Sequence, residues 1–167
     1  TLPDEETVWT IQDACGERLT EAGYENYEIS AWAKPSRACR HNLNYWRFGD
    51  YLGIGAGASG KITLPAEDAI LRTRRKKIPH SWMSSAADGS FIAEEVNVAR
   101  TDLAFEYMLN RSRLAEPIPT AEFAALTGLG FDKLEPGLGR AIESGLLERR
   151  EPTSAPAQAS RARSMPP

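Results

Sequence analysis

The stretch YWRFGDYLGIGAGASGKI, residues 45–62, decides how the middle of the chain folds. It begins with aromatic residues and continues as an apolar segment in which glycine recurs at Gly53, Gly55, Gly57 and Gly60. Strand interiors normally avoid so much glycine, so these positions indicate backbone that lies close to a ligand or to a neighbouring element. We therefore expect a buried strand beside a pocket.

The segments before this stretch predict a helix followed by a strand. Pro3-Asp4 and the acidic residues after it are typical of a helix start, and apolar residues recur at helical spacing from Val8 until Gly23. The segment YENYEIS, residues 24–30, is rich in residues that favour strands. A helix followed by a strand is the repeating unit of an α/β fold, which is the fold class we predict.

The second half of the chain predicts a small helical unit over residues 98–147. Leu103, Tyr107 and Leu114 mark one face of its first helix, and two further helices follow. Three helices in this order resemble the start of a winged-helix domain, although no wing hairpin is visible after them. Residues 151–167 contain almost no apolar anchor, so we expect a disordered tail.

The bulk composition excludes several classes of function. The 167 residues carry a formal net charge of −3, which disfavours a non-specific binder of polyanions. No apolar run approaches the roughly 20 residues that would cross a bilayer, and no secretory leader opens the chain, so we expect a cytoplasmic protein. Because the sequence begins at Thr1 rather than at methionine, we also expect a fragment of a longer protein.

The reactive side chains do not form a recognisable catalytic set. Cys15 and Cys39 are too few and too far apart for a disulfide framework or a C-x-x-C metal clip. No Ser/His/Asp set, carboxylate pair or cluster of metal ligands stands out, and His80 has no companion at a useful spacing. As an isolated chain, the protein is not expected to be an enzyme.

The most distinctive motif is HNLNYW, which begins at His41. A neutral imidazole is a good axial ligand for heme iron, and the aromatic residues Tyr45, Trp46, Phe48 and Tyr51 could wall a flat apolar macrocycle. The alternative is a hydrogen-bonded structural histidine beside ordinary core aromatics.

Two other motifs carry weaker functional predictions. Residues 55–60, GAGASG, match the G-x-G-x-x-G spacing, but the sequence after them cannot easily open the phosphate-binding helix of a dinucleotide-binding fold. The run RTRRKK at residues 72–77 could meet phosphates, or it could be a solvated edge or loop. The third predicted helix offers only Lys133 and Arg140 as basic residues, so the helical unit fits a packing or partner-docking module better than a DNA reader.

Residues 24–30 and 40–58 together resemble the HemW family of heme chaperones, which are relatives of the oxygen-independent coproporphyrinogen III oxidases in the radical-SAM superfamily. The resemblance is strong over residues 1–80. It continues more weakly over residues 98–147, where LTG at 126–128 and ESGLL at 143–147 resemble the C-terminal domain of the family.

This resemblance implies the C-terminal part of a radical-SAM partial TIM-type barrel followed by a small helical, winged-helix-like domain. Residues 1–80 would be the last helix and strand units of the barrel, and residues 81–97 a connecting segment. Residues 98–150 would be the helical HemN-type C-terminal domain without its wing, followed by the disordered tail at 151–167.

The resemblance also implies site residues and cofactors. His41 would bind heme iron, with Tyr45 and Trp46 completing the heme-binding motif. A contiguous segment would border S-adenosylmethionine, namely Gly55, Ala56, Gly57, Ala58 and Ser59. The C-x-x-x-C-x-x-C motif of a 4Fe-4S cluster does not occur in this sequence, so the cluster and S-adenosylmethionine are expected only in a full-length parent. Ser59 also stands where the family usually has histidine.

The function implied is that of a heme chaperone, which binds heme and transfers it to acceptor hemoproteins. One alternative is an oxygen-independent coproporphyrinogen III oxidase, which decarboxylates a porphyrinogen by radical-SAM chemistry. Another alternative is a helical module that binds nucleic acid or a partner protein. Among these we expect heme and acceptor hemoproteins as partners, with no nucleic acid and no segment integrated in a membrane.

Overall fold

A computed structural model describes residues 2–150, in which two compact units are separated at residues 133 and 134. The predicted tail at 151–167 lies outside the described residues. The first unit contains both helices and strands, which confirms the mixed α/β composition. Its elements in chain order are α1 (Glu5–Glu21), β1 (Glu25–Glu28), β2 (Ala31–Ala33), α2 (Arg40–Trp46), β3 (Ser59–Leu64), β4 (Ala69–Arg75), α3 (Pro79–Ser84), β5 (Ile92–Asn97), α4 (Leu103–Arg111) and α5 (Thr120–Thr127).

Helix α1 begins where the sequence predicted it, but its apolar residues are not buried. The Asp4 carboxylate accepts a hydrogen bond of 2.8 Å from the backbone N–H of Thr7, which caps the first turn. The helix ends before Gly23, whose φ of 78° is the left-handed conformation that terminates helices. None of its 17 residues is buried, and Val8 and Trp9 are about half exposed.

Strands β1 and β2 form an antiparallel hairpin that is tied to the end of α4. The predicted strand at residues 24–30 is confirmed by β1, which pairs with β2. The backbone N–H of Ile29 donates to the carbonyl of Arg113 at 3.0 Å, and the N–H of Ala115 donates to the carbonyl of Tyr27 at 3.1 Å. These hydrogen bonds satisfy the open edge of the hairpin against the loop that follows α4.

Strands β3, β4 and β5 form a second antiparallel sheet, with β4 in the centre. A short 3-10 turn at Pro65–Glu67 and the left-handed Asp68 (φ 50°) join β3 directly to β4. A connection this short forces the two strands to run antiparallel, since a parallel pair needs a crossover of a dozen or more residues. Residues 81–97, predicted to be a connecting segment, contribute β5 to this sheet.

The glycine-rich stretch differs from the single buried strand that we expected. Helix α2 continues to Trp46, the chain turns through Phe48 (φ 62°), and β3 starts only at Ser59. A Cβ added to Gly53 would lie 2.4 Å from the carbonyl oxygen of Ser59, and one added to Gly60 would lie 3.2 Å from the backbone nitrogen of Gly53. The glycines therefore allow two backbone segments to approach each other, which no side chain would permit.

The core of the first unit lies mainly where α4, α5 and the turn after α2 meet. Tyr107 on α4 is fully buried and packs edge-to-face against Phe48 at 5.7 Å and against Phe123 of α5 at 5.2 Å, measured between ring centroids. Leu103 is buried as well, so Leu103 and Tyr107 form the predicted apolar face of α4, whereas Leu114 is buried beyond the end of the helix at Arg111.

The second unit contributes one helix to the described residues, α6 (Glu135–Glu143). Gly145, with φ of 70°, ends it, and the backbone N–H of Leu146 donates to the carbonyl of Ala141 at 2.8 Å. No strand follows α6 within residues 144–150. Among residues 2–150, no helix combines the length and the apolar character needed to cross a bilayer.

Candidate functional site

The candidate site lies on α2, the seven-residue helix Arg40–Trp46 that carries the motif predicted from the sequence; we call it the motif helix. His41 stands in its first turn and is exposed. Within the described part of the chain, the imidazole makes no hydrogen bond to another group. The exposed imidazole is therefore not fixed by hydrogen bonds within the described residues.

The two asparagines of the motif hold the helix in place. The Asn42 amide donates to the phenolic oxygen of Tyr27 at 3.2 Å, which joins the motif helix to the β1–β2 hairpin. The Asn44 amide donates to the carbonyl of Asp50 at 2.9 Å and closes the turn after the helix. The two amides of the motif are thus engaged in the fold, whereas the exposed His41 imidazole has no hydrogen-bond partner among the described residues.

Tyr45 lies one helical turn after His41, so the two side chains share a face of the motif helix. Its ring contacts that of Tyr51 at 4.8 Å between centroids and meets the edge of Trp46 at 4.7 Å. The Tyr51 phenol accepts a hydrogen bond of 3.1 Å from Arg72. Burial raises the pKa of Tyr51 to about 12 against the opposing charge of Arg72, so this phenol stays protonated near neutral pH.

Trp46 and Phe48 are engaged in contacts within the protein. The Arg113 guanidinium lies over the Trp46 ring at 4.2 Å and pairs with the buried carboxylate of Glu28 at 3.3 Å. Phe48 is 1% exposed, beneath the Lys61 ammonium. The prediction that Phe48 walls a macrocycle is therefore wrong, because this side chain forms part of the core.

A buried lysine fixes the turn between the motif helix and β3. The Lys61 ammonium donates to the carbonyl of Phe48 at 2.9 Å and to the Asp50 carboxylate at 3.0 Å. Burial lowers the pKa of Lys61, while the pairing with Asp50 opposes that effect. The Asp50 side chain is 45% exposed; its limited desolvation would raise its pKa, but hydrogen bonds from Thr63 and Lys61 hold the pKa below the usual range. The sequence analysis did not identify this pair.

An ion-pair network joins the end of the motif helix to α4 and α5. Arg47 binds both oxygens of Glu116, at 2.7 and 2.6 Å. Arg111, 1% exposed, binds Glu116 at 2.9 Å and Glu122 at 2.7 Å. Forked pairing of this kind fixes orientation as well as distance. The motif helix is thus supported by the segment around α4.

The segment predicted to border S-adenosylmethionine forms a turn that leads into β3. Gly55 and Gly57 have φ of 99° and 74°, and the N–H of Gly57 donates to the carbonyl of Lys76 at 2.9 Å. The carbonyl of Ala58 accepts from the N–H of Arg75 at 2.8 Å. A strand follows this turn rather than a helix, which agrees with the rejection of a dinucleotide-binding fold.

Side chains of the basic run at residues 72–77 form ion pairs and hydrogen bonds with other parts of the fold. Arg72 pairs with Glu106, and Arg74 pairs with Glu94 at 2.5 Å. Arg75 donates to the carbonyl of Gly53 and stacks on Phe91, and Lys76 donates to Ser85. Arg72 and Arg74 are paired with carboxylates and therefore attract a phosphate backbone less strongly, so this run gives little support to a nucleic-acid interface.

The described residues contain no protein-only metal site. Within that part of the chain, no three His, Cys, Asp or Glu side chains come together in a way that would hold a metal ion. Cys15 and Cys39 are both exposed and unpaired with each other. A single exposed histidine can still serve as an axial ligand, because the porphyrin itself supplies four of the ligands of heme iron.

Comparison with known protein families gives a match, which covers the C-terminal part of the chain. Residues 98–152 match the HemN C-terminal domain family, which spans the helical segment that contains α4, α5 and α6. No solved structure was found to match the chain.

The individual relatives are more informative. The chain is 47% identical to heme chaperone HemW of Escherichia coli over 146 residues, 87% of this chain and 37% of that protein. It is 42% identical to heme chaperone HemW of Haemophilus influenzae with the same coverage. A mitochondrial radical S-adenosyl methionine domain-containing protein 1 of Dictyostelium discoideum is 32% identical over 78% of the chain and 33% of its own length. These matches confirm the homology to HemW, and the chain spans little more than a third of its relatives.

Proposed function

We propose that this protein binds heme and passes it to acceptor hemoproteins, with His41 as the axial ligand. The observation that carries this proposal is the difference in hydrogen bonding among the polar side chains of the motif helix. Its two amides are engaged in the fold, whereas the His41 imidazole is exposed and unbonded among the described residues. The chain is also homologous to proteins named heme chaperones over 87% of its length.

The surroundings of His41 suit a porphyrin. Tyr45 presents an aromatic ring on the same face of the motif helix, where it could pack against the macrocycle. Trp46 completes the motif, and its ring is held by Arg113 and Tyr45. An exposed ligand suits a carrier, because a carrier must release its cargo to an acceptor, whereas a buried ligand would retain it.

Heme, when bound, supplies an iron with an open axial position, and the chain's own contribution would be a nitrogen ligand and an aromatic contact. The iron requires the neutral imidazole as ligand.

The remaining family properties are proposals for a longer protein. There, residues 1–80 would form the last helix and strand units of a radical-SAM partial barrel, and the turn at Gly55–Ser59 would border S-adenosylmethionine. A 4Fe-4S cluster would be bound by residues that this sequence does not contain. Residues 98–150 would form the winged-helix-like HemN-type domain, and the protein would work in the cytoplasm. The oxidase alternative is not favoured, because the HemW relatives are named heme chaperones.

A hemin titration followed by absorbance tests the proposal. The sequence has two histidines, so His80→Ala on α3 is a matched control for His41→Ala. We expect His41→Ala to raise the hemin dissociation constant by about tenfold or more and to change the Soret band, since even indirect partners of a metal ligand change affinity by such factors. His80→Ala should bind as the unmodified chain does. Equal spectra and affinities for both variants would refute His41 as the ligand.

Transfer is tested separately from binding. Chain loaded with hemin is mixed with apomyoglobin, and the rise of the myoglobin spectrum gives the rate of transfer. We expect transfer from the loaded chain to be faster than the same transfer from hemin-loaded serum albumin. Retention of the hemin by the loaded chain would contradict the carrier role while leaving the binding site intact.

A further inference from the structure

Tyr51 lies outside the motif helix but fixes the position of a residue within it. Its backbone N–H donates to the carbonyl of Lys61, and its carbonyl accepts from the N–H of Lys61, each at 2.9 Å. This two-way pairing anchors Tyr51 to β3. From there its ring contacts that of Tyr45 at 4.8 Å, with the ring planes inclined by 38°.

The phenol of Tyr51 is itself held from the other side. Arg72 on β4 donates to its oxygen at 3.1 Å, and the same guanidinium forms an ion pair with Glu106 on α4. The side chains of Arg72 and Glu106 are only 30% and 27% exposed, so the pair is shielded more than a surface ion pair. A continuous series of contacts thus runs from α4 through the sheet to the motif helix.

These contacts restrict the side-chain orientation of Tyr45. The motif helix has only seven residues, and an aromatic side chain on such a helix can adopt more than one staggered χ1 angle unless packing selects one. Tyr51, fixed at both its backbone and its phenol, supplies the surface that makes this selection. Because His41 lies one turn before Tyr45, the orientation selected defines the aromatic face beside the imidazole.

We propose that Tyr51, held by Arg72 and Glu106, is a positioning residue that sets the orientation of the Tyr45 ring for porphyrin binding beside His41. This inference rests on the proposed function. It also gives the helical segment matched by the HemN C-terminal domain family a role, because Glu106 belongs to that segment.

The variant Tyr51→Phe removes only the hydroxyl group that Arg72 binds. We expect a rise of about fivefold in the hemin dissociation constant, corresponding to the loss of one ordinary hydrogen bond. Arg72→Met should have an effect of similar size. Arg74→Met is the matched control, since Arg74 lies on the same strand and pairs with Glu94 instead. That control should bind hemin as the unmodified chain does.

A double-mutant cycle separates positioning from a general structural role. If Tyr51 acts through Tyr45, Tyr51→Phe weakens hemin binding in the unmodified chain but has no effect in a Tyr45→Ala background. Circular dichroism checks that each variant retains its secondary structure. Equal losses of hemin affinity in both backgrounds, or no loss in either, would overturn the proposal.

The same set of titrations distinguishes the failure of this inference from the failure of the proposed function. If His41→Ala weakens hemin binding and Tyr51→Phe does not, His41 remains the ligand and the positioning role is lost. If His41→Ala leaves affinity and spectrum unchanged, the proposed ligand itself is wrong, and the positioning role is lost with it.

Discussion

Replacing Arg111 should destabilise the protein more than replacing any exposed arginine. This side chain is 1% exposed, and it reaches the Glu116 carboxylate at 2.9 Å, the Glu122 carboxylate at 2.7 Å and the carbonyl of Pro117 at 3.3 Å. In Arg111→Met, Glu116 and the carbonyl of Pro117 lose a hydrogen-bond donor and Glu122 loses its ion-pair partner, while the new side chain still fills most of the buried volume. The change therefore isolates the charge and its hydrogen bonds from the packing volume.

The contacts give the magnitude. Removing one partner from a buried ion pair costs roughly 3–5 kcal/mol, because the other charge remains uncompensated. Glu116 and Glu122 keep 34% and 25% of their side-chain surface exposed, and each retains another donor, Arg47 or the Tyr107 hydroxyl. Water and these donors compensate part of the loss. We therefore expect a loss of about 3 kcal/mol in the free energy of unfolding.

Urea unfolding followed by circular dichroism measures this loss. With a slope of roughly 2 kcal/mol per molar urea, the midpoint should fall by about 1.5 M. Arg74→Met provides the control, because Arg74 and Glu94 are 61% and 49% exposed and such pairs contribute at most about 1 kcal/mol. Equal shifts for Arg111→Met and Arg74→Met would refute the view that burial makes the Arg111 network important.

Three further predictions concern the backbone and the pH dependence. Gly53→Ala should destabilise the protein by about 2 kcal/mol in thermal melts, because its Cβ would lie 2.4 Å from a carbonyl oxygen. In Gly137→Ala the Cβ meets nothing within 4 Å, so a similar loss there would contradict the close-approach argument. Burial, together with a carboxylate hydrogen bond, raises the pKa of Tyr107 to about 12 from an ordinary 10.0. The stabilisation contributed by the protonated Tyr107 phenol is therefore fully present below pH 10 and is lost as the pH rises towards 12. Tyr107→Phe should flatten this decline of the free energy of unfolding with pH. The hydrogen bond from Arg47 lowers the pKa of Glu116 below 4.5. The stabilisation that ionised Glu116 gives to the folded protein is therefore present above pH 4.5 and lost as the pH falls through the folded-state pKa. An acid-unfolding curve that Glu116→Gln leaves unchanged would contradict this assignment.

Local signals in the sequence predicted several elements correctly. Asp4 caps α1, the aromatic segment after Gly23 forms β1, and the apolar face containing Leu103 and Tyr107 belongs to α4. Each of these depends on residues that are close along the chain, such as a capping side chain or a helical repeat.

The arrangement of the strands could not be predicted in the same way. The glycine-rich stretch was expected to be one buried strand, but its glycines allow two backbone segments to approach each other closely. The antiparallel pairing of β3 and β4 follows from the short turn between them. Single-residue preferences do not reveal which backbone segments will meet. Helical spacing likewise predicts an apolar face on α1 but not which segment would cover it, and Val8 and Trp9 are about half exposed.

The candidate site shows the same division. His41 and Tyr45 were identified from an ordered local motif. The support of the motif helix was not identified, because its ion pairs join residues far apart along the chain. Arg47 is 69 positions from Glu116, and Arg113 is 85 positions from Glu28. Phe48 was expected at the ligand surface, although tertiary packing against Tyr107 places it in the core.

The central claim, that His41 binds heme iron, is tested most directly by proton NMR of the two histidine side chains. Ferric iron broadens the signals of any imidazole that coordinates it, and the spectrum of His41→Ala assigns the two sets of imidazole signals. We predict that substoichiometric hemin broadens the His41 signals first and leaves those of His80 sharp, while gallium protoporphyrin shifts the His41 signals without broadening them. Selective broadening of His80, or no broadening of either histidine, would contradict the account.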